Sequence, residues 1–556
     1  MTGSRLELLW PGKDKFLLVP KDEAGKPVWV ERDHPAASEV RLSDFTGTIG
    51  EVPDDPYAAN LLFTGDSLDV LRILCEVPEY RSIYRGKVRL VYIDPPFNTG
   101  QAFEHYDDWM EHSTWLSFMR ERLLLIRDLL APDGSVWVHL DDAEQHRMRC
   151  LMDEIFGAQN FIASFAWEKD KGRRNDTDVS TVHDHIHVYA INPALWATLR
   201  NPLARTPEQV ARYRNPDDDP RGPWLQGDNG TAKSGSASAR FEIELPSGRV
   251  VTPPEGNYWR FSRENFEQAR AEGRVWFGRR GDSMPVIKRY LSQVKDGVVP
   301  RSWWPADEVG HNQEAKRDHL RKMFPHGAPF ATPKPERLLE RVIHIASNPG
   351  DIVLDCFAGS GTTAAVAHKM GRQWVTAELS TSTVEQFTLP RLTKVVRGED
   401  PGGITKSADW EGGGGFRTVT AGPSMYEDTP FGVLLAEWAT NGRFARAVAG
   451  QLGFEFQPDA APLCGVRGRM RLAVIDGAVG PEEIRQIVGA LGEKERVTLV
   501  AKSVLDEAES TLKEISPGSR IRKAPRDLLT SGAQRMRRRT EASKRHTNES
   551  TGGSQS

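Results

Sequence analysis

The apolar run KVRLVYI ends at Asp94-Pro95-Pro96-Phe97, which sets two hydrogen-bond acceptors beside an aromatic face. Neither a helix nor a central strand continues through two prolines, so the run must stop as a strand and turn. Pro95 offers a carbonyl with no N–H of its own, Asp94 a carboxylate and Phe97 a ring, while Pro96 stiffens the turn. Such a set suits a planar exocyclic NH₂ group on a base. A Pro-Pro turn with a surface Asp and a packing Phe would read the same way.

The second set is Asp355-Cys356-Phe357-Ala358-Gly359-Ser360-Gly361-Thr362-Thr363, placed between an apolar β-rich run and a helical pattern. Its glycines let backbone approach a ligand closely at a helix N-terminus. No Lys follows them, which excludes a phosphate-binding Walker loop, and the spacing is not GxGxxG. The next β-rich run, QWVTAEL, reaches Glu378, and a carboxylate there commonly holds a ribose diol. Either feature alone fits an ordinary tight turn; together they favour a nucleoside cofactor.

The elements that must position these residues alternate. LLFTGDSLDVLRIL reads as a strand, a Gly65-Asp66 turn and a helix; TWLSFMRERLLLIRDLL reads as a helix, stopped by Pro132-Asp133-Gly134 before the strand SVWVHL. The alternation predicts an α/β fold with a parallel sheet, and ligands in such sheets bind beyond the carboxyl ends of the strands. Residues 1–60 read as a lead-in that packs on the core, and 61–160 as the first half of the main domain. From 161 to 330 the rhythm is lost, and Trp167, Trp196, Trp224, Trp259, Trp276, Trp303 and Trp304 stand among arginines. This predicts a separate, loop-rich domain. The rhythm returns over 331–400, a small α/β unit is expected over 401–530, and 531–556 reads as a basic, disordered tail.

Composition narrows the class. Net charge is −4, from 73 Lys+Arg against 77 Asp+Glu, so any nucleic-acid face must be local. No apolar run is long enough for a transmembrane helix, and the N-terminus does not read as a secretory signal. Cys75, Cys150, Cys356 and Cys464 lie too far apart for CxxC zinc spacing, which points to a reducing cytoplasm. His183, His185 and His187 fall on one strand face without a fourth ligand nearby; they read as structural or positioning, and no metal is expected. In the insert, Arg173, Arg174, Arg212, Arg214, Arg221, Arg260, Arg274, Arg279, Arg280, Lys288 and Arg289 could meet phosphates or bases. Asp217-Asp218-Asp219 reads as a turn.

DPPF followed much later by TPKPERLLERVIHIASNPGDIVLDCFAGSGTT resembles the β-group DNA adenine-N6 methyltransferases, among them the modification (Mod) subunits of type III restriction systems. The resemblance covers roughly 60–400. It implies a Rossmann-like fold dependent on S-adenosyl-L-methionine, the catalytic motif preceding the cofactor motif, with 161–330 as target-recognition domain. It also implies that Asp94 and the Pro95 carbonyl bind an adenine N6 amine and that Phe97, where most relatives carry Tyr, stacks on the extruded base. Asp355, Phe357, Gly359, Gly361 and Thr362 would form the methyl-donor pocket, with Glu378 on the ribose, Asp66 on the donor side and Lys334 near the methionine end. Cys356 replaces the more usual Pro.

No Pro-Cys pair exists for C5-cytosine chemistry, and N4-cytosine enzymes usually carry Ser where Asp94 stands. A catalytically silent DNA-recognition subunit is the alternative from another class, and RNA or protein methylation a third. Expected partners are double-stranded DNA, a helicase-endonuclease restriction subunit that would supply cleavage, and a second copy through the C-terminal unit. No membrane partner is expected.

Overall fold

The computed structural model describes residues 7–19, 26–99, 102–103, 106–107, 110–172, 177–226, 230–294, 296–326, 330–429 and 432–529. The tail expected over 531–556, and Arg173 and Arg174, lie outside the described residues. Among those described, no helix is long and apolar enough to cross a membrane, and all four cysteines are free thiols.

Ten strands form the main sheet: β1 (Ser43–Gly50), β2 (Asn60–Thr64), β3 (Val88–Ile93), β4 (Leu130–Leu140), β5 (Phe161–Glu168), β6 (His183–Ala190), β7 (Trp303–Trp304), β8 (Ile352–Asp355), β9 (Gln373–Glu378) and β10 (Gly415–Ala421). Their order is β7-β5-β6-β4-β3-β8-β9-β2-β10-β1. Pairing is parallel from β4 through β10 and antiparallel where β6 meets β4 and β1 meets β10. β3 is buried along its whole length, as a central parallel strand requires. Helices α1 (Ser67–Glu76), α2 (His112–Leu129) and α3 (Gln145–Phe156) pack in sequence on one another, and α4 (Glu336–Ala346) packs on α5 (Thr362–Lys369). The core joins Leu71, Trp115, Met119, Leu123, Val91 and Leu354. Leu130 already pairs with Val88, so β4 begins before Pro132 and runs on through Gly134, earlier than the expected stop.

The lead-in does more than pack: β1 is the edge strand of the main sheet, Phe16 enters the core, and Trp10 Nε1 donates to Ser117 Oγ at 2.7 Å. β10 likewise takes part of the expected C-terminal unit into this sheet. Beyond it, Glu455–Phe456, Gly465–Arg467, Met470–Val479, Arg496–Val504 and Arg520–Lys523 form a five-stranded sheet. Helix Asn441–Leu452 ties this part to the lead-in, through Gln451 Oε1 to Val40 N at 2.8 Å and Arg446 to Asp44 at 2.8 Å.

The second compact unit is Pro202–Pro300, narrower than the irregular stretch expected over 161–330. The flanks belong to the main sheet: β6 pairs with both β4 and β5, is buried from Ile186 to Ala190, and β5 buries Phe165 and Trp167. Trp137, Phe165 and Trp304 stack there, with centroids 5.4 and 4.4 Å apart. The Pro202–Pro300 unit has its own small core of Phe241, Ile243, Leu245, Trp259 and Phe266. Asp219, from the acidic run read as a turn, is the unit's buried hub: Arg221 grips both its oxygens at 2.9 Å, and Lys288 and Tyr290 donate to Oδ2 at 2.6 and 2.7 Å. Those partners hold its carboxyl far below the usual range. Arg221 and Lys288 are therefore committed to this interior, whereas Arg212, Arg214, Arg279, Arg280 and Arg289 are exposed.

Candidate active site

Four neighbouring parallel strands, β3, β8, β9 and β2, end in or just before a carboxylate: Asp94, Asp355, Glu378 and Asp66. All four face a cavity of about 500 Å³ that also takes in Lys334, Phe357, Gly359 and Thr362. Residues far apart in the chain meet there because the strand order, 3-8-9-2, interleaves the two halves of the chain.

Asp94 Oδ2 accepts from Lys334 Nζ at 2.5 Å, whereas Oδ1 is buried with no hydrogen-bond partner among the described residues. Lys334 Nζ also lies 5.0 Å from the Phe97 ring centroid. The Pro96 carbonyl accepts from Trp115 Nε1 at 2.8 Å, which pins the turn to α2; Pro95 is buried behind it. Of the residues expected at the site, Pro95, Phe97 and Gly361 do not line the cavity.

The glycine loop has the backbone its sequence implies. Gly359 sits at φ +49°, and a Cβ there would lie 3.3 Å from the Phe330 ring; Gly361, at φ +77°, is the N-cap of α5. Glu378 Oε2 accepts from Gly359 N at 2.9 Å and Oε1 from Ser380 N at 3.0 Å. Burial pushes Asp355 up to about 7 despite hydrogen bonds from Thr363 and Phe357, and Asp94 and Glu378 add to the rise. Asp66 caps α1 through Leu68 N at 2.8 Å and takes a two-pronged bond from Arg122 at 2.8 and 3.0 Å. Thr362 Oγ1 donates to the Lys334 carbonyl at 3.3 Å and accepts from Arg391 at 2.8 Å, which makes it a tie between loop and lysine segment.

Beneath the loop lies a fully buried ion-pair network. Glu336 takes Lys369 at 2.7 Å and Arg391 at 2.8 Å; Asp400 takes Lys369 at 2.6 Å and His319 at 2.7 Å. His319, Glu336 and Asp400 have ligand-like spacing, but the Lys369 ammonium already bonds both carboxylates. Asp142, His183 and His185 gather on the more exposed side of the β6 region, with His185 3.1 Å from Asp142.

Sequence reading missed His139 and Asp184. His139, at the end of β4, is fully buried beside Asp94; its ring stacks on Phe97 at 5.9 Å and 23°. Asp184 faces inward, opposite to the three histidines around it, and Oδ2 lies 3.2 Å from His139 Nε2. The available signal was the strand SVWVHL, whose last residues must lie beside the end of β3.

A family model described as "DNA methylase" matches residues 88–389. The chain is 33% identical over 336 residues to the type III restriction-modification enzyme StyLTI Mod subunit of Salmonella typhimurium, covering 55% of this chain and 49% of that one. It thus spans about half the length of that relative. It is 54% identical over 311 residues to the type II methyltransferase M1.MboII of Moraxella bovis, covering 55% and 90%. The solved PvuII DNA methyltransferase (cytosine-N4-specific) aligns over 62% of this chain and 89% of that one, at 15% identity and TM-score 0.33.

Proposed function

The chain belongs to the DNA methylase family, whose methyl donor is S-adenosyl-L-methionine, and we propose that it methylates the N6 amine of an adenine turned out of duplex DNA. The carrying observation is Asp94: a carboxylate with one buried oxygen that has no partner among the described residues, beside an aromatic ring and at the mouth of the glycine-loop cavity.

The cavity's residues fit the donor. Glu378 presents a carboxylate to a ribose, Gly359 leaves backbone open where a side chain would intrude, and Lys334 offers a cation to a carboxylate. When bound, S-adenosyl-L-methionine supplies an electrophilic methyl group on a positively charged sulfur. The adenine amine is a poor nucleophile because its lone pair is delocalised into the ring. Asp94 Oδ1 and the Pro95 carbonyl accept the amine's two hydrogens, favour tetrahedral nitrogen, and stabilise positive charge that develops only in the transition state. Phe97 stacks on the extruded base, whose unstacking costs a few kcal/mol. Asp at position 94, rather than Ser, supports N6 over N4 chemistry. The Pro202–Pro300 unit, with its exposed arginines, reads the target, and a restriction subunit is the partner by analogy with the type III relative.

The test is modified-base sequencing of genomic DNA from cells expressing this chain alone, beside an Asp94→Ala control. N6-methyladenine at one motif, absent in the control, is expected. Modified cytosine would overturn the base assignment, and no modification in either sample would favour a recognition-only subunit or a required partner.

A further inference from the structure

Phe97 follows two prolines on a turn. Among the described residues, the Lys334 ammonium lies 5.0 Å from the ring centroid, and the ring stacked on it is His139. The two lie nearly parallel, with centroids 5.9 Å apart, and Trp167 packs edge-on against His139 at 5.3 Å and 86°.

His139 is held from both sides. Nε2 lies 3.2 Å from Asp184 Oδ2, and a carboxylate only accepts, so Nε2 carries the hydrogen. Nδ1 is then the acceptor for the Tyr92 hydroxyl at 2.8 Å. Asp184 is itself pinned by Lys169 Nζ, 2.6 Å from Oδ1. Tyr92, His139 and Asp184 stand on β3, β4 and β6, three adjacent strands, so the rigid sheet fixes the plane of the imidazole. Burial, aided by the Lys334 charge, pulls the imidazole below its ordinary range; Asp184 and Asp94 oppose this. Asp184 is held far below the carboxylate range by His139 and Lys169, against its burial.

We propose that His139, set by Asp184 and Tyr92, is a positioning residue of the catalytic turn: its ring backs Phe97 so that Phe97 presents a fixed face to the extruded base. This rests on the methyl-transfer reading above, since Phe97 needs a fixed face only if a base stacks on it. Supporting groups behind a reacting set are expected to matter steeply, because a displacement of about 1 Å costs about 10²-fold in rate.

The experiment uses the full chain with 4-fluorophenylalanine placed at position 97, in the native background and in His139→Asn and Asp184→Asn. Asp184→Asn conserves volume, so it keeps the proposal open to refutation if His139→Asn fails to fold. Three readouts are taken: the ¹⁹F resonance, calorimetric titration with S-adenosylhomocysteine, and single-turnover methylation of plasmid DNA from a host without DNA methylation. Both variants should move the resonance toward its denatured-chain position, leave S-adenosylhomocysteine affinity within about twofold, and lower the methylation rate about tenfold or more. An unmoved resonance in both variants would overturn the proposal. Absence of methylation in the native background would count against methyl transfer by this chain alone, while the resonance still decides whether His139 holds Phe97.

Discussion

Lys334 Nζ donates to Asp94 Oδ2 across 240 residues of chain, at 2.5 Å, and stands 5.0 Å from the Phe97 centroid. The ammonium thus meets the same carboxylate and ring that the proposed mechanism assigns to the target amine. Asp94→Asn is expected to lower kcat by about 10²–10³. Lys334→Gln should cost about tenfold. The double variant should fall well short of the product of the two, since bonded groups couple. Single-turnover rates for the cycle check this; multiplicative effects would sink the idea that the pair acts together.

Glu378 and Gly359 should separate donor binding from stability. Glu378→Gln removes a charge from an acceptor already bonded to the loop and should weaken S-adenosyl-L-methionine binding about tenfold or more, leaving donor-free DNA affinity unchanged. Gly359→Ala places a Cβ 3.3 Å from Phe330 at φ +49° and should destabilise the fold by about 1–3 kcal/mol. Calorimetry and urea titration measure the two. Unchanged donor affinity in Glu378→Gln would remove that residue from the donor site.

Asp355 links the site to pH. Its folded value, about 7, lies above that of an ordinary aspartate, so the folded chain favours its protonated form. That contribution is whole below about pH 4 and is lost as pH rises to about 7, a change of up to about 4 kcal/mol. Asp355→Asn should therefore gain stability relative to the native chain between pH 5 and 8. Urea midpoints of both proteins across that range give the answer; a constant difference would show that Asp355 titrates as an ordinary carboxylate.

Adjacent residues in the Pro202–Pro300 unit should behave oppositely. Lys288 is buried on Asp219, with Asp217 also bonded to it, so Lys288→Ala removes one of two cations that offset these acids, leaves Arg221 on Asp219, and should destabilise by about 1–3 kcal/mol. Arg289 is exposed, and Arg289→Ala should leave stability alone. If Arg289 meets a phosphate, the slope of log affinity against log salt falls by about 0.9. Thermal melts and salt-dependent DNA binding distinguish the two; a melt lowered equally by both would refute the split.

Local chemistry was legible in the chain itself. Two prolines must end a strand, two glycines between a strand and a helix pattern favour a close loop, and period-3.6 and period-2 patterns favour helices and strands; so the turn at Asp94, the loop at Gly359 and the parallel sheet could be read directly. Tertiary structure alone decided what stands next to what. Strand order brings Lys334 to Asp94, carries β5, β6 and β7 out of the irregular insert into the main sheet, and turns Asp184 inward among three histidines to meet His139. Periodicity assigns a residue to a face of its own strand, but it holds no term for which strand lies alongside; that is set by long-range burial, which only the folded sheet expresses.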